Sequence, residues 1–170
     1  YGYSTAGPLA AYRYHAKSAS SEVLDAQVDR PEPGVVRITV LSRTGDGVAS
    51  AGLLAIVRAA LSADNVRPLN DTVLVVSATV VRYVLKARLF VASGAAPEPL
   101  LLAANAAAKA YTVKQFAIGE AVEPSGLYAA LHQPGAARAV LLSPVSGIAA
   151  KPQQAALCTG IELEVVTDYV

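Results

Sequence analysis

The sequence predicts an α+β fold, in which an N-terminal helix is followed by two small layers. Each layer is a roughly three-stranded, mainly antiparallel sheet with helices packed on one face. The first observation is that segments with alternating apolar residues, typical of half-buried strands, are separated by segments with helical apolar spacing. The second is the order of elements, helix, then β-β-α-β, then β-α-α-β-β, which disfavours a doubly wound parallel sheet. We expect two domains, 1–78 and 79–170.

The first domain is predicted to begin with a helix over GPLAAYRYHAKSA, with Pro8 in its first turn, where a missing N–H costs nothing. SEVLDAQVDR and GVVRITVLSR follow and flank the turn PEPG. Their alternation predicts an antiparallel hairpin with one buried face. The residues expected on that face are Leu24, Ala26, Val28, Val36, Ile38 and Val40.

A second helix is predicted over AGLLAIVRAALSA, and Ser50 precedes it in the position of a capping residue. Its apolar residues recur at i, i+1, i+4, i+7 and i+8, which is typical of a helix with one face on a core. They are Leu53, Leu54, Val57, Ala60 and Leu61. ADNVRPLND is then turn-rich, and TVLVVSA is predicted as a short buried strand that completes the first layer.

The second domain is predicted to start with a long strand from about Thr79, with alternating apolar residues on one face. Its other face carries Arg82, Lys86 and Arg88. EPLLLAANAAAKAYTVKQFAIG follows as a long alanine-rich helix. A polar stripe is expected along that helix, formed by Asn105, Lys109 and Thr112.

The remaining segments complete the second layer. PSGLYAALHQPG is predicted as a short helix, ARAVLLSPV as a strand and SGIAAKPQQA as a loop. TGIELEVVTD is the final strand, with an apolar face and an acidic face that carries Glu162 and Glu164. The apolar face is formed by Ile161, Leu163 and Val165. We expect the acidic face to lie beside the basic face of the Arg82 strand, as opposite-charge cross-strand pairs.

Composition excludes several classes of protein. The chain has 170 residues and a formal net charge of +1, so no overall field attracts nucleic acid or an anionic membrane. Although 54% of residues are hydrophobic, no segment reaches the roughly 20 uninterrupted apolar residues of a membrane helix. The single cysteine, Cys158, excludes an intramolecular disulfide and is expected to be a small buried residue. Neither nucleic acid nor a membrane is therefore expected as a partner.

The chain opens with YGYSTAGPLAAYRYHAKSAS, which holds four of the eight tyrosines and no preceding methionine. Tyr12, Arg13, Tyr14, His15 and Lys17 interrupt any apolar run, so a signal peptide is not expected. This disfavours the first of three interpretations, a targeting segment; the other two are an aromatic box for a ligand and a cut end whose rings packed on a missing neighbour. Since the chain contains no methionine, we expect it to be trimmed, processed or part of something longer.

Catalytic and metal-binding motifs are not found in the sequence. His15 and His132 are the two histidines, and neither has a second potential ligand at metal spacing. TGDG at 44–47 resembles the start of a calcium or phosphate loop, but no run of carboxylates follows it. We therefore predict no catalytic residues, no cofactor, no metal and no enzyme activity. The alternative is a small ligand-binding or enzymatic α+β domain, which predicts a polar cleft near His132 or the 44–47 loop.

The tyrosine-rich segment is the candidate binding surface. We assign a possible assembly interface to Tyr1, Tyr3, Tyr12, Arg13 and Tyr14. With Lys17, these side chains have the chemistry to cover a partner protein or to stack on single-stranded bases. The near-neutral charge disfavours the bases. Packing within the chain is the remaining alternative.

Several sequence blocks together resemble one family. They are YGYSTAGPLAAYRYHAKSAS, PGVVRITVLSRTGDGVAS, NVRPLNDTV, and SGLYAALHQPGAARAVLLSP leading into QAALCTGIELEV. In this order, they are similar to the C-terminal two-thirds or so of the baseplate J-like proteins of contractile-tailed bacteriophages, prophages and tailocins. The blocks cover nearly all of the chain.

The resemblance implies a structural role in the virion. Members of the family form baseplate wedges with a second tail protein, and six wedges close into a ring around the tail hub. The implied partners are other wedge proteins, copies of the chain itself and the sheath initiator. The implied location is the tail baseplate, assembled in the cytoplasm of the bacterial host. The family has no catalytic residues to transfer, and Tyr1 and Tyr3 are expected to lie exposed at a joint to a preceding region.

Overall fold

The computed structural model describes residues 6–62 and 71–167, which form two compact units. Unit 1 contains residues 6–62, 71–80 and Pro152–Ala155, and unit 2 contains Val81–Lys151 and 156–167. Tyr1, Tyr3 and most of the turn-rich segment ADNVRPLND lie outside the described residues. The division into domains 1–78 and 79–170 stays a prediction.

The fold class and the order of the elements are confirmed. The elements are α1 (Ala6–Ser18), β1 (Val23–Glu32), β2 (Val35–Ser42), α2 (Ala51–Leu61), β3 (Thr72–Ser77), β4 (Thr79–Val91), α3 (Pro97–Lys114), α4 (Pro124–Leu131), β5 (Ala136–Ser143) and β6 (Gln154–Val166). The strands form two three-stranded sheets, in the orders β1-β2-β3 and β5-β4-β6.

Both sheets are mixed. In unit 1, β1 and β2 form the expected antiparallel hairpin, whereas β2 and β3 pair in parallel because α2 crosses over between them. In unit 2, β4 and β5 are antiparallel. Lys86 pairs with Glu162 and Arg88 with Glu164, so β4 and β6 run in the same direction. The central strands β2 and β4 thus each have one antiparallel and one parallel neighbour.

The core of unit 1 lies between its sheet and the helices α1 and α2. Its most buried side chains are Tyr12, Ala16, Ala26, Val36, Ile38, Val40, Leu53, Val57 and Leu61. Leu24, expected on this face, is not in the core, and Val23 occupies that place. The reason is a register shift in β1 between Val23 and Asp25, which breaks the simple alternation.

The predicted start of α2 is confirmed. The hydroxyl oxygen of Ser50 accepts a hydrogen bond from the backbone N–H of Leu53, at 3.1 Å. This bond satisfies one of the backbone donors that the first turn of a helix leaves without a partner. The buried stripe of α2 consists of Leu53, Val57 and Leu61, while Leu54 packs at its border.

The core of unit 2 lies between one sheet face and the helices α3 and α4. Alternate residues of β4 are buried, namely Tyr83, Leu85, Ala87, Leu89 and Val91, and the apolar face of β6 packs against the same core. On α3, Leu100, Ala104, Ala108 and Thr112 form the buried stripe.

Thr112 was expected on a polar stripe with Asn105 and Lys109, and that placement is wrong. Thr112 is on the core stripe because it follows Ala108 by four residues. Its buried hydroxyl is satisfied within the helix, where it donates to the backbone carbonyl of Lys109 at 3.1 Å.

Two element boundaries differ from the predictions. The helix α3 ends at Lys114 and does not continue to Gly119, since Gln115 caps it and its side-chain amide donates to the carbonyl of Ala121. The strand β6 begins at Gln154, inside the expected loop. Its start is fixed by a hydrogen bond from the backbone N–H of Thr79 to the carbonyl of Gln153.

Two tyrosines fix α4 in unit 2. The Tyr111 hydroxyl on α3 accepts from the backbone N–H of Glu123, the residue before α4, at 3.2 Å. The Tyr128 hydroxyl on α4 accepts from the N–H of Leu141 in β5, at 3.1 Å. A methyl group at Gly126 would lie 2.3 Å from the Tyr111 ring, so the two helices pack in a contact that only glycine allows.

Candidate assembly interface

The two described tyrosines of the candidate interface lie on opposite sides of α1. They are two residues apart, and two residues of an α-helix span about 200° of rotation. Tyr12 is 1% exposed and packs in the core of unit 1, whereas Tyr14 is 68% exposed. The Tyr12 ring therefore packs in the core, and the Tyr14 ring lies on the surface.

Tyr12 also takes part in a buried polar cluster. Its hydroxyl donates to one carboxylate oxygen of Asp71, at 3.4 Å, and Arg30 donates to both oxygens of the same carboxylate at 3.3 and 3.5 Å. Asp71 is buried at the start of β3. The cluster therefore joins α1, β1 and β3.

Arg13 connects α1 to the neighbouring strand. Its Nε donates to the carbonyl of Ala26 at 2.8 Å, and its Nη2 lies 3.3 Å from Oδ1 of Asp25. About half of the Arg13 side chain remains exposed. Arg13 thus both anchors the helix and contributes positive charge to its outer surface.

The outer face of α1 contains a shallow depression of about 410 Å³. It is lined by Ala10, Arg13, Tyr14, Lys17 and Ser18. The Tyr14 ring packs edge-on against His15, with their centroids 5.4 Å apart. The described helix carries no acidic residue. The Tyr14 ring and the aliphatic groups beside it lie between two cations, Arg13 and Lys17. This surface fits a partner that presents apolar and acidic groups.

The sequence identified part of this face. Arg13 and Tyr14 lie on it, Tyr12 is buried beneath it, and Tyr1 and Tyr3 lie outside the described residues. Ala10 and Ser18 also lie on this face, but they are not among the residues predicted for the interface. Their helical spacing from Tyr14, four residues before and four after, was the available signal.

The alternative prediction places a polar cleft near His132 or near the 44–47 loop. His132 caps the C-terminal end of α4 through its backbone N–H, which donates to the carbonyl of Tyr128. In the 44–47 loop, Ser42 accepts from the N–H of Thr44, and Asp46 accepts from the N–H of Val48. These groups support local turn structure.

The basic and acidic strands of unit 2 pair as expected. Lys86 lies 3.5 Å from Glu162, and Arg88 lies 3.1 Å from Glu164. All four side chains are at least half exposed, so each pair stabilises the sheet by no more than about 1 kcal/mol.

Unit 2 also buries a tyrosine hydroxyl. The hydroxyl of Tyr83 has no hydrogen-bond partner within the described parts of the chain. Burial, and next the proximity of Cys158 and Tyr111, raises the pKa of Tyr83 well above its ordinary value. Cys158 is half-buried in β6, and its thiol donates to the carbonyl of Gly160.

Residues 6–62 and 71–167 contain no group of three or more His, Cys, Asp or Glu side chains arranged to hold a metal ion. Across the same residues, no helix has both the length and the apolar character that crossing a bilayer requires.

Comparison with known proteins gives two matches. Residues 4–77 match the family described as Baseplate J-like central domain. The chain is also 43% identical over 166 residues to a protein named Baseplate protein J of Escherichia phage P2. That alignment covers 98% of this chain and 54% of the relative, so the chain spans about half the length of the relative. The two matches confirm the resemblance indicated by the sequence blocks.

Proposed function

We propose, from the similarity to baseplate J-like proteins along nearly the whole chain, that this protein is a structural component of a phage tail baseplate. The observation that carries the proposal is the 43% identity over 98% of the chain to Baseplate protein J of phage P2. No catalytic step is part of the proposed role.

The proposed partners are those that the family implies. They are another wedge protein, further copies of this chain and the sheath initiator, arranged in a ring around the tail hub. A closed ring requires contacts that repeat from copy to copy, and these depend on shape and local charge. The near-neutral net charge of the chain is compatible with such contacts. Assembly would take place in the host cytoplasm, and the finished component would reside in the virion baseplate.

We assign one partner contact to the outer face of α1. Tyrosine and arginine are enriched at the centres of protein interfaces. The buried Tyr12 and the Arg13 bonds to β1 fix the helix, so Tyr14 is presented on a surface that needs little ordering on binding. Lys17 adds a positive group beside Tyr14. A wedge partner with an apolar and acidic surface fits this face.

The test is capture of the other tail proteins of the same particle by the tagged full chain. We expect the unmodified chain to retain at least one of them. Tyr14→Ala is expected to weaken that binding about 30-fold, the effect of removing a central aromatic residue. Lys17→Glu is expected to weaken it less, with a greater loss at low salt because the contact is electrostatic.

The matched control is Ile56→Ala. Ile56 is 49% exposed on α2 of the same unit, and its replacement is expected to leave capture unchanged. If the chain stays monomeric, captures none of the tail proteins and turns over a small molecule, the baseplate proposal is wrong. The alternative of an enzymatic or ligand-binding domain would then hold.

A further inference from the structure

The strand β6 lies at an open edge of the sheet of unit 2. The strand order is β5-β4-β6, so β4 borders β6 on one side. Within the parts of the chain that the structure describes, no further strand or bridge pairs with the other side of β6. At the opposite edge of the sheet, by contrast, the Tyr128 hydroxyl on α4 accepts from the backbone N–H of Leu141 in β5. The outer edge of β6 therefore has the geometry to pair with an added strand.

The regular part of this edge begins at Ile161. Cys158 and Ile161 both pack against the core although they are three residues apart, so the alternation of faces is interrupted between them. From there, residues 161–166, with the sequence IELEVV, alternate regularly over about 20 Å. We call them the β6 edge. They include no proline, glycine or lysine, the residues with which proteins commonly block an edge strand.

The core-facing side of the β6 edge is incompletely covered. Its apolar side chains pack against the core of unit 2 but stay partly exposed, and they are Ile161, Leu163 and Val165. One strand further in, the side chains of β4 on the same face are at most 1% exposed, and they are Leu85, Ala87 and Leu89. Apolar residues on an added strand would extend the covered core over the β6 edge.

The outward side of the β6 edge is acidic. Lys86 and Arg88 of β4 border Glu162 and Glu164 on one flank, yet the two glutamate side chains are 65% and 64% exposed. On the other flank, an added strand would place one of its residues directly beside each glutamate. Lysine or arginine there would give each glutamate a cation on both sides, whereas an acidic residue would be repelled.

The same charges disfavour a second copy of this chain as the added strand. Antiparallel pairing of two β6 edges keeps the apolar residues on one face and the glutamates on the other. When the pair is centred on Leu163, Glu162 of one copy lies opposite Glu164 of the other. Centring the pair on Glu162 or on Glu164 sets two copies of that residue against each other. Like charges directly opposite destabilise a strand pair, so a basic partner is favoured.

We propose that the β6 edge binds an extended segment of another tail protein by strand addition. The segment alternates lysine or arginine with apolar residues, so that it meets the glutamates on one face and extends the core on the other. Backbone hydrogen bonds hold the segment, and the alternating side chains give specificity. The inference rests on the proposed function, because it gives the chain a second contact with the other baseplate proteins.

The first experiment adds a capped eight-residue peptide that alternates lysine and valine to the isotopically labelled full chain. Binding is expected to be weak, because a short peptide loses conformational freedom when it is ordered. We expect amide chemical shifts to change along residues 161–166 and amide hydrogen exchange there to slow. A peptide with four lysines followed by four valines has the same charge without the alternation, and it is the matched control. It is expected to bind several-fold more weakly, as is a peptide that alternates glutamate and valine.

The second experiment changes the charge of the β6 edge. Glu162→Gln combined with Glu164→Gln is expected to weaken binding of the lysine–valine peptide about fivefold, the effect of losing two cross-strand charge pairs. The control combines Glu98→Gln with Glu120→Gln, which makes the same change of net charge at two exposed positions of unit 2 outside β6. The control is expected to bind the peptide like the unmodified chain.

Three outcomes would overturn the inference. The first is an absence of shifts along residues 161–166 at millimolar peptide, and the second is equal binding of the alternating peptide and its four-and-four control. The third is self-association of the chain through the β6 edge that the two glutamine substitutions strengthen. Each is distinguishable from failure of the proposed function, since capture of tail proteins through the α1 face is measured separately with Tyr14→Ala.

Discussion

Units 1 and 2 hold their helices by different means. In unit 1, polar groups far apart in the sequence anchor α1, through the Asp71 cluster with Tyr12 and Arg30 and through Arg13 on β1. In unit 2, close apolar packing and tyrosine hydroxyls position α4, through Gly126 against Tyr111.

This difference predicts how the stability of each unit responds to substitutions. An arginine whose side chain is partly exposed can exchange protein partners for water, so the polar anchors of unit 1 tolerate some rearrangement. A glycine pressed against an aromatic ring cannot accept an added methyl group without movement of a helix. We therefore expect unit 1 to lose most stability when the buried Tyr12 ring is removed, and unit 2 to lose stability when volume is added at Gly126.

The largest effect is expected in unit 1, for Tyr12→Ala. Removing this fully buried ring leaves a cavity and leaves Asp71 without the tyrosine hydroxyl, so the free energy of unfolding should fall by about 3 to 5 kcal/mol. Tyr14→Ala on the same helix is the control and should change stability by less than about 0.5 kcal/mol. Denaturant unfolding measures both variants, and equal losses would contradict the assignment of one ring to the core and the other to the surface.

A smaller effect is expected in unit 2 for Gly126→Ala. Its methyl group would lie 2.3 Å from the Tyr111 ring, so we expect a loss of about 1 to 3 kcal/mol from overpacking. Gly52→Ala is the matched helical glycine in unit 1, where the nearest atom is 3.8 Å away. That variant should gain about 0.5 kcal/mol through reduced chain entropy. Thermal unfolding of the two variants compares them, and a stabilised Gly126→Ala would show that the helix contact is loose.

The smallest effect is expected for Tyr83→Phe, and it depends on pH. Loss of the buried, unpaired hydroxyl should leave stability near neutral pH unchanged or raise it by up to about 1 kcal/mol. Since the folded pKa of Tyr83 is raised above the unfolded value of about 10, its stabilising contribution is complete below that pH. The contribution is lost as the pH rises toward the folded pKa.

The unfolding free energy measured across the alkaline range checks this linkage. The unmodified chain should lose stability above a pH of about 10, and Tyr83→Phe should lose less. The same alkaline slope in both proteins would show that Tyr83 does not titrate with unfolding.

The elements of the fold were predictable because apolar periodicity is a local property. Alternation located β4 and β6, and helical spacing with Ser50 located α2. The structure differs from the predictions where contacts between distant segments set the register or the start of a strand. The register shift at Val23 depends on β2, and the start of β6 depends on a hydrogen bond from Thr79.

The candidate interface was only partly predictable. Clustering in the sequence grouped Tyr12 with Tyr14, but helical geometry separates them onto opposite sides of α1. The alanine-rich sequence of α3 does not show which of its residues remain exposed. Leu102 and Val113 could be identified as exposed only once the packing of Leu100, Ala104 and Ala108 was known.

The central claim is that the chain is an assembly component, and the mass of its complexes tests it most directly. The full chain should be mixed with the other tail proteins of the same particle and the masses measured in solution. The account predicts complexes that contain this chain with at least one of those proteins, and fewer of them with Tyr14→Ala. A chain that remains monomeric in every mixture would contradict it.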